Sequence, residues 1–112
     1  MKRKLIWTVP VLEDFERQIK YLGDKSPAAA RRLVQNVFSR IIVLKNFPEI
    51  GRPIGEYEKA REKVEYRIAL ESIPATDLKL KELLIDNYVF MYGFNESEVV
   101  ILFVKHQKQD DY

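Results

Sequence analysis

The chain carries one histidine and no cysteine. Thiolate chemistry and disulfides are therefore excluded, and a zinc site has few ligands to draw on. The chemistry left open is proton transfer and the holding of anions. His106 has the ordinary pKa suited to proton transfer near neutrality, and it ends a long apolar run two residues before Lys108. Lys81 and Glu82 adjoin one another in another extended stretch, and Arg52 stands between Gly51 and Pro53. Each has a plainer reading. Lys81 and Glu82 would point to opposite faces of a strand, so both cannot line one concavity, and a surface charge pair at a sheet edge is the simpler role. His106 reads as a strand-end residue hydrogen-bonded to a neighbouring backbone, and Arg52 as a side chain holding its loop to the sheet. The tail Gln107-Lys108-Gln109-Asp110-Asp111-Tyr112 is a poor phosphate clamp, because Asp110 and Asp111 repel phosphate. Tyr112 falls where chain ends fray.

The elements that must position these residues are concentrated in the last third. Lys79 to Ile85, Tyr88 to Phe94 and Val99 to Lys105 are rich in β-branched and aromatic residues, with turns at Asp86-Asn87 and at Asn95 to Glu98. Such short connections predict an antiparallel meander. Alternation sends Val100, Leu102 and Val104 to one face and Val99, Ile101 and Phe103 to the other. A strand apolar on both faces requires cover on both.

Upstream, Leu5-Ile6-Trp7 reads as a short strand, Thr8 as a helix cap and Pro10 as a first-turn residue. Leu12, Phe15, Ile19 and Leu22 recur at helical spacing, and Gly23 is placed as the helix end. After an Asp24-Lys25 link, Ser26-Pro27 opens a second helix running to about Asn46. Its stripe is Ala30, Leu33, Val37, Ile41 and Leu44, widened by Val34, Phe38 and Ile42. The two make an antiparallel hairpin able to cover one sheet face. Residues 47–53 read as a loop. Glu56 to Glu71 fits helix or strand; its Glu, Lys, Arg and Ala content favours a third helix. The class is α+β: an N-terminal strand, a helix hairpin, this third helix, then the meander, with helices gathered on one side of a mostly antiparallel sheet.

A length of 112 residues suits a single domain spanning 1–112, and a formal charge of +2 does not demand wholesale polyelectrolyte binding. No run reaches membrane-spanning length, Leu5 to Val11 is too short for a signal sequence, and a reducing cytoplasm is compatible. No metal or cofactor is expected.

Taken in order, these pieces resemble the RelE/ParE superfamily of bacterial toxins. The resemblance rests on Trp7-Thr8 before the first helix, Ser26-Pro27 at the second, and Phe47-Pro48-Glu49-Ile50-Gly51-Arg52-Pro53. It continues through Lys81-Glu82-Leu83, Asn87-Tyr88-Val89 followed by Tyr92, and the run from Ile101 to Gln107. The stretch between Pro53 and Lys81 is longer than in the commonest members and marks a subgroup with a helical insertion. The resemblance implies a toxin of a type II toxin–antitoxin module, neutralised by an antitoxin wrapped around it in a hetero-oligomer. Tyr88, Phe90, Tyr92, Val99, Ile101 and Phe103 are the expected antitoxin surface, on the reasoning that one hairpin covers only one apolar face. The competing reading folds the third helix over that face.

Two activities follow from the resemblance. The RelE-like branch cuts messenger RNA in the ribosome; the ParE-like branch inhibits DNA gyrase without cutting. Cleavage through a ribose 2′-hydroxyl needs a base, an acid and cations for the phosphate. His106, Lys81 and Lys108 would be the catalytic set in a nuclease, with Glu82 and Tyr112 the other candidates; Arg52, Lys108 and Gln109 would touch target or phosphate. No dense cationic pocket with a second positioned acid or base stands out, which favours the ParE-like reading. A toxin fold without activity, kept as a plasmid-stabilisation or binding protein, is the third possibility.

Overall fold

The computed structural model describes residues 2–54 and 77–106. Thr8 caps helix α1 (Val9–Lys25): its side chain accepts the Val11 N–H, and Pro10 occupies the first turn, where no amide hydrogen is needed. Gly23 does not stop this helix. α1 runs on to Lys25, and Ser26 then serves both helices at once. Its backbone N–H closes α1 on the Leu22 carbonyl, and its hydroxyl accepts from Ala29 to open α2 (Pro27–Ile41). The link between the helices is thus one residue rather than two, because the serine cap is a stronger boundary signal than a glycine that helix packing tolerates. α2 ends at Ile41 and tightens into a 3₁₀ turn, Ile42–Lys45, short of the predicted Asn46.

Five strands make one mixed sheet in the order β1-β5-β4-β3-β2. They are β1 (Lys4–Trp7), β2 (Arg52–Pro53), β3 (Lys79–Ile85), β4 (Tyr88–Phe94) and β5 (Glu98–His106). The predicted meander β3-β4-β5 is present and antiparallel, and β1 adds parallel to β5. The expected loop at 47–53 holds a 3₁₀ turn, Pro48–Ile50, and then β2, which pairs with β3 at the far edge. Asp86 and Asn87 take φ of 50° and 70°, the left-handed pair that a two-residue hairpin turn demands. At the next turn the Asn95 side chain accepts the Ser97 and Glu98 N–H groups. The predicted third helix, Glu56 to Glu71, lies outside the described residues.

The alternation read from β5 is interrupted. Tyr92 pairs with Ile101, but Met91 pairs with Phe103, so Leu102 is an extra residue, a β-bulge. Beyond it the faces exchange. Val104 joins Val99 and Ile101 on the helix side, while Phe103 joins Val100 and Leu102 on the other. Val104 and Phe103 are thereby the reverse of the simple expectation.

The main core lies between the helices and the sheet. Phe15, Leu33, Val37, Ile41 and Leu44 meet Ile85, Phe90, Tyr92, Val99 and Ile101. The Trp7 ring stacks on Phe15 at 6.0 Å and meets the edge of Phe90 at 6.2 Å. Phe38 and Ile42, read as widening the buried stripe, are about half exposed. The second face is buried as well: Met91, Val100 and Leu102 are 0%, 7% and 4% exposed, with Ile6, Ile54, Leu78, Leu80 and Phe103 packed against them. Among the described residues the large side chains on the second face of β4 and β5 are therefore not left exposed, contrary to what the sequence had suggested. Among the described residues no helix is long and apolar enough to cross a membrane.

Candidate functional site

Two places among the described residues hold the polar side chains singled out in the sequence. The first is the edge formed by β2 and β3. Tyr92, fully buried, sends its hydroxyl out of the core to the loop: it accepts the Gly51 N–H at 3.0 Å and donates to the Pro48 carbonyl at 2.6 Å. Lys81, directly across from Tyr92 on β3, donates from Nζ to the Gly51 carbonyl at 3.2 Å. Gly51 is required by close approach. A Cβ there would stand 2.4 Å from the Tyr92 hydroxyl and 2.6 Å from the Glu82 backbone oxygen. Burial raises the Tyr92 pKa above its ordinary value; the Gly51 hydrogen bond works against that rise and the Glu49 charge adds to it.

This latch fixes Arg52 in β2, opposite Glu82. Arg52 Nη2 lies 3.9 Å from Glu82 Oε2, with the arginine side chain 56% exposed. Such a pair is weak and leaves the guanidinium facing solvent. The loop is held by Tyr92 and Lys81, whereas the sequence reading gave that role to Arg52. Lys81 and Glu82 do point to opposite faces: they pair with Tyr92 of the main core and Met91 of the second one.

The second place is a cleft of about 570 Å³ at the other end of the sheet. Arg17, Gln18, Tyr21, Leu22 and Lys25 of α1 line it, with Tyr88 and His106. His106 pairs across β4 with Tyr88, and their rings meet edge to face at 5.0 Å. Burial lifts the Tyr88 pKa. Lys25 donates from Nζ to the Tyr21 hydroxyl at 2.7 Å and lies 4.3 Å from that ring's centre, a cation–π geometry. Arg17 is paired with Asp14.

His106 and Lys81 are not brought together. Their partners on β4, Tyr88 and Tyr92, are four residues apart, and two strand spacings separate β5 from β3. That places their Cα atoms roughly 16 Å apart, with Phe90 of the main core between them. Lys108, Gln109 and Tyr112 lie outside the described residues. Of the residues named for antitoxin contact, Tyr88, Phe90, Tyr92, Val99 and Ile101 are buried and serve the core beneath the helices; Phe103 is half-buried on the opposite face. The Tyr92 latch was missed because a tyrosine in an apolar strand shows nothing of where its hydroxyl ends. The cleft rim had a visible signal, since Arg17, Tyr21 and Lys25 follow each other at intervals of four on one helix face.

A search of curated proteins found no match to this chain. The family model for the ParE toxin of the type II toxin–antitoxin system parDE matches residues 5–111, a span that takes in β1, the helix hairpin, the Tyr92 latch and the whole meander. With the α+β architecture in agreement over that span, the chain belongs to the ParE toxin family of type II toxin–antitoxin systems.

Proposed function

We propose that this toxin acts by binding an essential target, DNA gyrase, without cutting nucleic acid, and that a cognate antitoxin neutralises it in the cytoplasm. The observation that carries this reading is the separation of Lys81 from His106. A nuclease needs its cation and its proton-transfer group on one phosphodiester, and backbone positions roughly 16 Å apart place Lys81 poorly to share one with His106. Lys81 is moreover bonded to the Gly51 carbonyl, and Glu82 belongs to the other face of the sheet. Arg52, exposed at the sheet edge, is taken as a target contact, and Lys108 and Gln109 of the tail are proposed for the same role.

The test is induction of the chain in cells, with DNA breaks and protein synthesis scored together, beside a supercoiling assay with purified gyrase. The expected result is a DNA-damage response, inhibited supercoiling, and His106→Ala protein that stays toxic. Rapid arrest of translation with intact DNA, abolished by His106→Ala, would overturn the reading in favour of ribosome-dependent cleavage.

A further inference from the structure

Lys81 has no part in the target contacts assigned above, yet its ammonium group is tied to one place. Its Nζ donates to the Gly51 carbonyl at 3.2 Å, while the Tyr92 hydroxyl accepts the Gly51 N–H at 3.0 Å. Both polar backbone groups of the residue before Arg52 are therefore held by side chains, one from β3 and one from β4. Strand β2 has little else to hold it. It is two residues long, Arg52 and Pro53, and proline has no N–H to give a ladder, so Arg52 is its single amide donor. Lys81 lies opposite Pro53, and Glu82 opposite Arg52. Facing residues of an antiparallel pair share one side of the sheet. The Lys81 and Arg52 side chains therefore leave the edge on opposite sides.

We infer that Lys81 is a positioning residue for Arg52: it clamps the Gly51 carbonyl, and that clamp sets where the exposed guanidinium stands against the target. The inference rests on the ParE-like reading for Arg52 as a target contact, and it deepens that reading by naming what aims the arginine. An arginine on a free loop has to be ordered when its target binds, and that ordering weakens the complex. Here the residue before it is fixed in advance. Gly51 lies so close to Tyr92 and the Glu82 backbone that no Cβ fits. A direct contact between Lys81 and the target fits less well. The ammonium is already bonded, the residue is half-buried, and it leaves the sheet edge on the side away from the arginine. Arg52, by contrast, is 56% exposed and only loosely paired with Glu82 at 3.9 Å.

The experiment measures the concentration of purified full-length toxin that halves gyrase supercoiling. The proteins compared are wild type, Lys81→Met, Lys81→Arg, Arg52→Ala, the double variant Lys81→Met/Arg52→Ala, and a control on the same strand, Lys79→Met. Circular dichroism checks that each is folded at the assay temperature. Arg52→Ala should raise that concentration by about 10-fold and Lys81→Met by about 3–10-fold, while Lys79→Met stays near wild type. Lys81→Arg can still donate to the Gly51 carbonyl and should recover most of the loss. The deciding readout is the double variant. A clamp that works through Arg52 has nothing left to aim there, so Lys81→Met should add less than about 2-fold to Arg52→Ala. A lysine that only supports the fold, or one that touches the target itself, would add its full loss in both backgrounds. If Lys81→Met does not fold, Lys81→Gln replaces it, and the same non-additivity is expected. Additive losses, an equal loss in Lys79→Met, or wild-type potency of either Lys81→Met or Arg52→Ala overturns the inference and leaves gyrase binding standing. Wild-type toxin that leaves supercoiling untouched overturns the ParE-like reading as well.

Discussion

Replacing Tyr92 with phenylalanine removes one oxygen and, with it, the acceptor of the Gly51 N–H and the donor to the Pro48 carbonyl. Gly51 and Pro48 are both buried, so water does not readily take the hydroxyl's place. A buried backbone group that loses its partner costs about 1–3 kcal/mol. Two such losses, partly relieved by adjustment of the loop, come to about 2–4 kcal/mol. For a domain of this length that is a fall in Tm of roughly 8–16 °C. Urea denaturation followed by circular dichroism measures it directly, and the slope should stay unchanged because the same surface is exposed on unfolding. Gly51→Ala sharpens the test. In the wild type the new Cβ meets the Tyr92 oxygen at 2.4 Å and the Glu82 carbonyl at 2.6 Å. In the Tyr92→Phe background the clash with the oxygen is gone, while those with the Glu82 carbonyl and, at 2.9 Å, with the ring Cε1 remain. The alanine should therefore cost less in the double variant, though still something, with a coupling energy of about 0.5–3 kcal/mol. A Tyr92→Phe protein within about 0.5 kcal/mol of wild type, or strictly additive single and double variants, would refute the latch.

Gly23→Ala should stabilise the protein by about 0.5–1 kcal/mol, since Gly23 lies within α1 and an added Cβ would meet the Ala30 Cβ at an ordinary 3.6 Å; a lowered urea midpoint would contradict that. Asn87→Val should cost about 1–2 kcal/mol, because φ is 70° there and a branched side chain is strained in the left-handed region, whereas Asn87→Gly should be neutral or better. At high pH, Tyr88 and Tyr92 both keep their protons longer in the folded state than the ordinary 10.0. Their contribution is therefore fully present below pH about 10 and lost as pH rises through the folded values. The urea midpoint should fall in that range, and less steeply for Tyr92→Phe; an unchanged midpoint there would count against burial of the two phenols.

Local chemistry made much of the fold legible. The Asp86-Asn87 turn, the Thr8 and Ser26 caps and the buried stripe from Ala30 to Leu44 each depend on side chains within a few residues of one another. Errors arose where a local rule competed with a distant contact. Gly23 carries a stop signal, yet α1 packs against α2 and continues past it. Phe38 sits one helical step beyond the stripe, meets the rings of Trp7 at 5.6 Å and Phe15 at 6.3 Å on one side, and stays half exposed.

What the sequence determined by itself is the first strand, the helix hairpin and the three strands of the meander, in that order, because 3.6- and 2-residue periods and turn residues act over short spans. The tertiary structure alone decided the parallel seat of β1, the bulge at Leu102, the burial of the second sheet face, and the distance between His106 and Lys81. Each depends on which strand lies beside which, and that is settled by packing between residues dozens of positions apart. One inserted residue in β5 exchanges the faces of everything after it. It thereby turns His106 towards α1, where it lines the cleft with Tyr88.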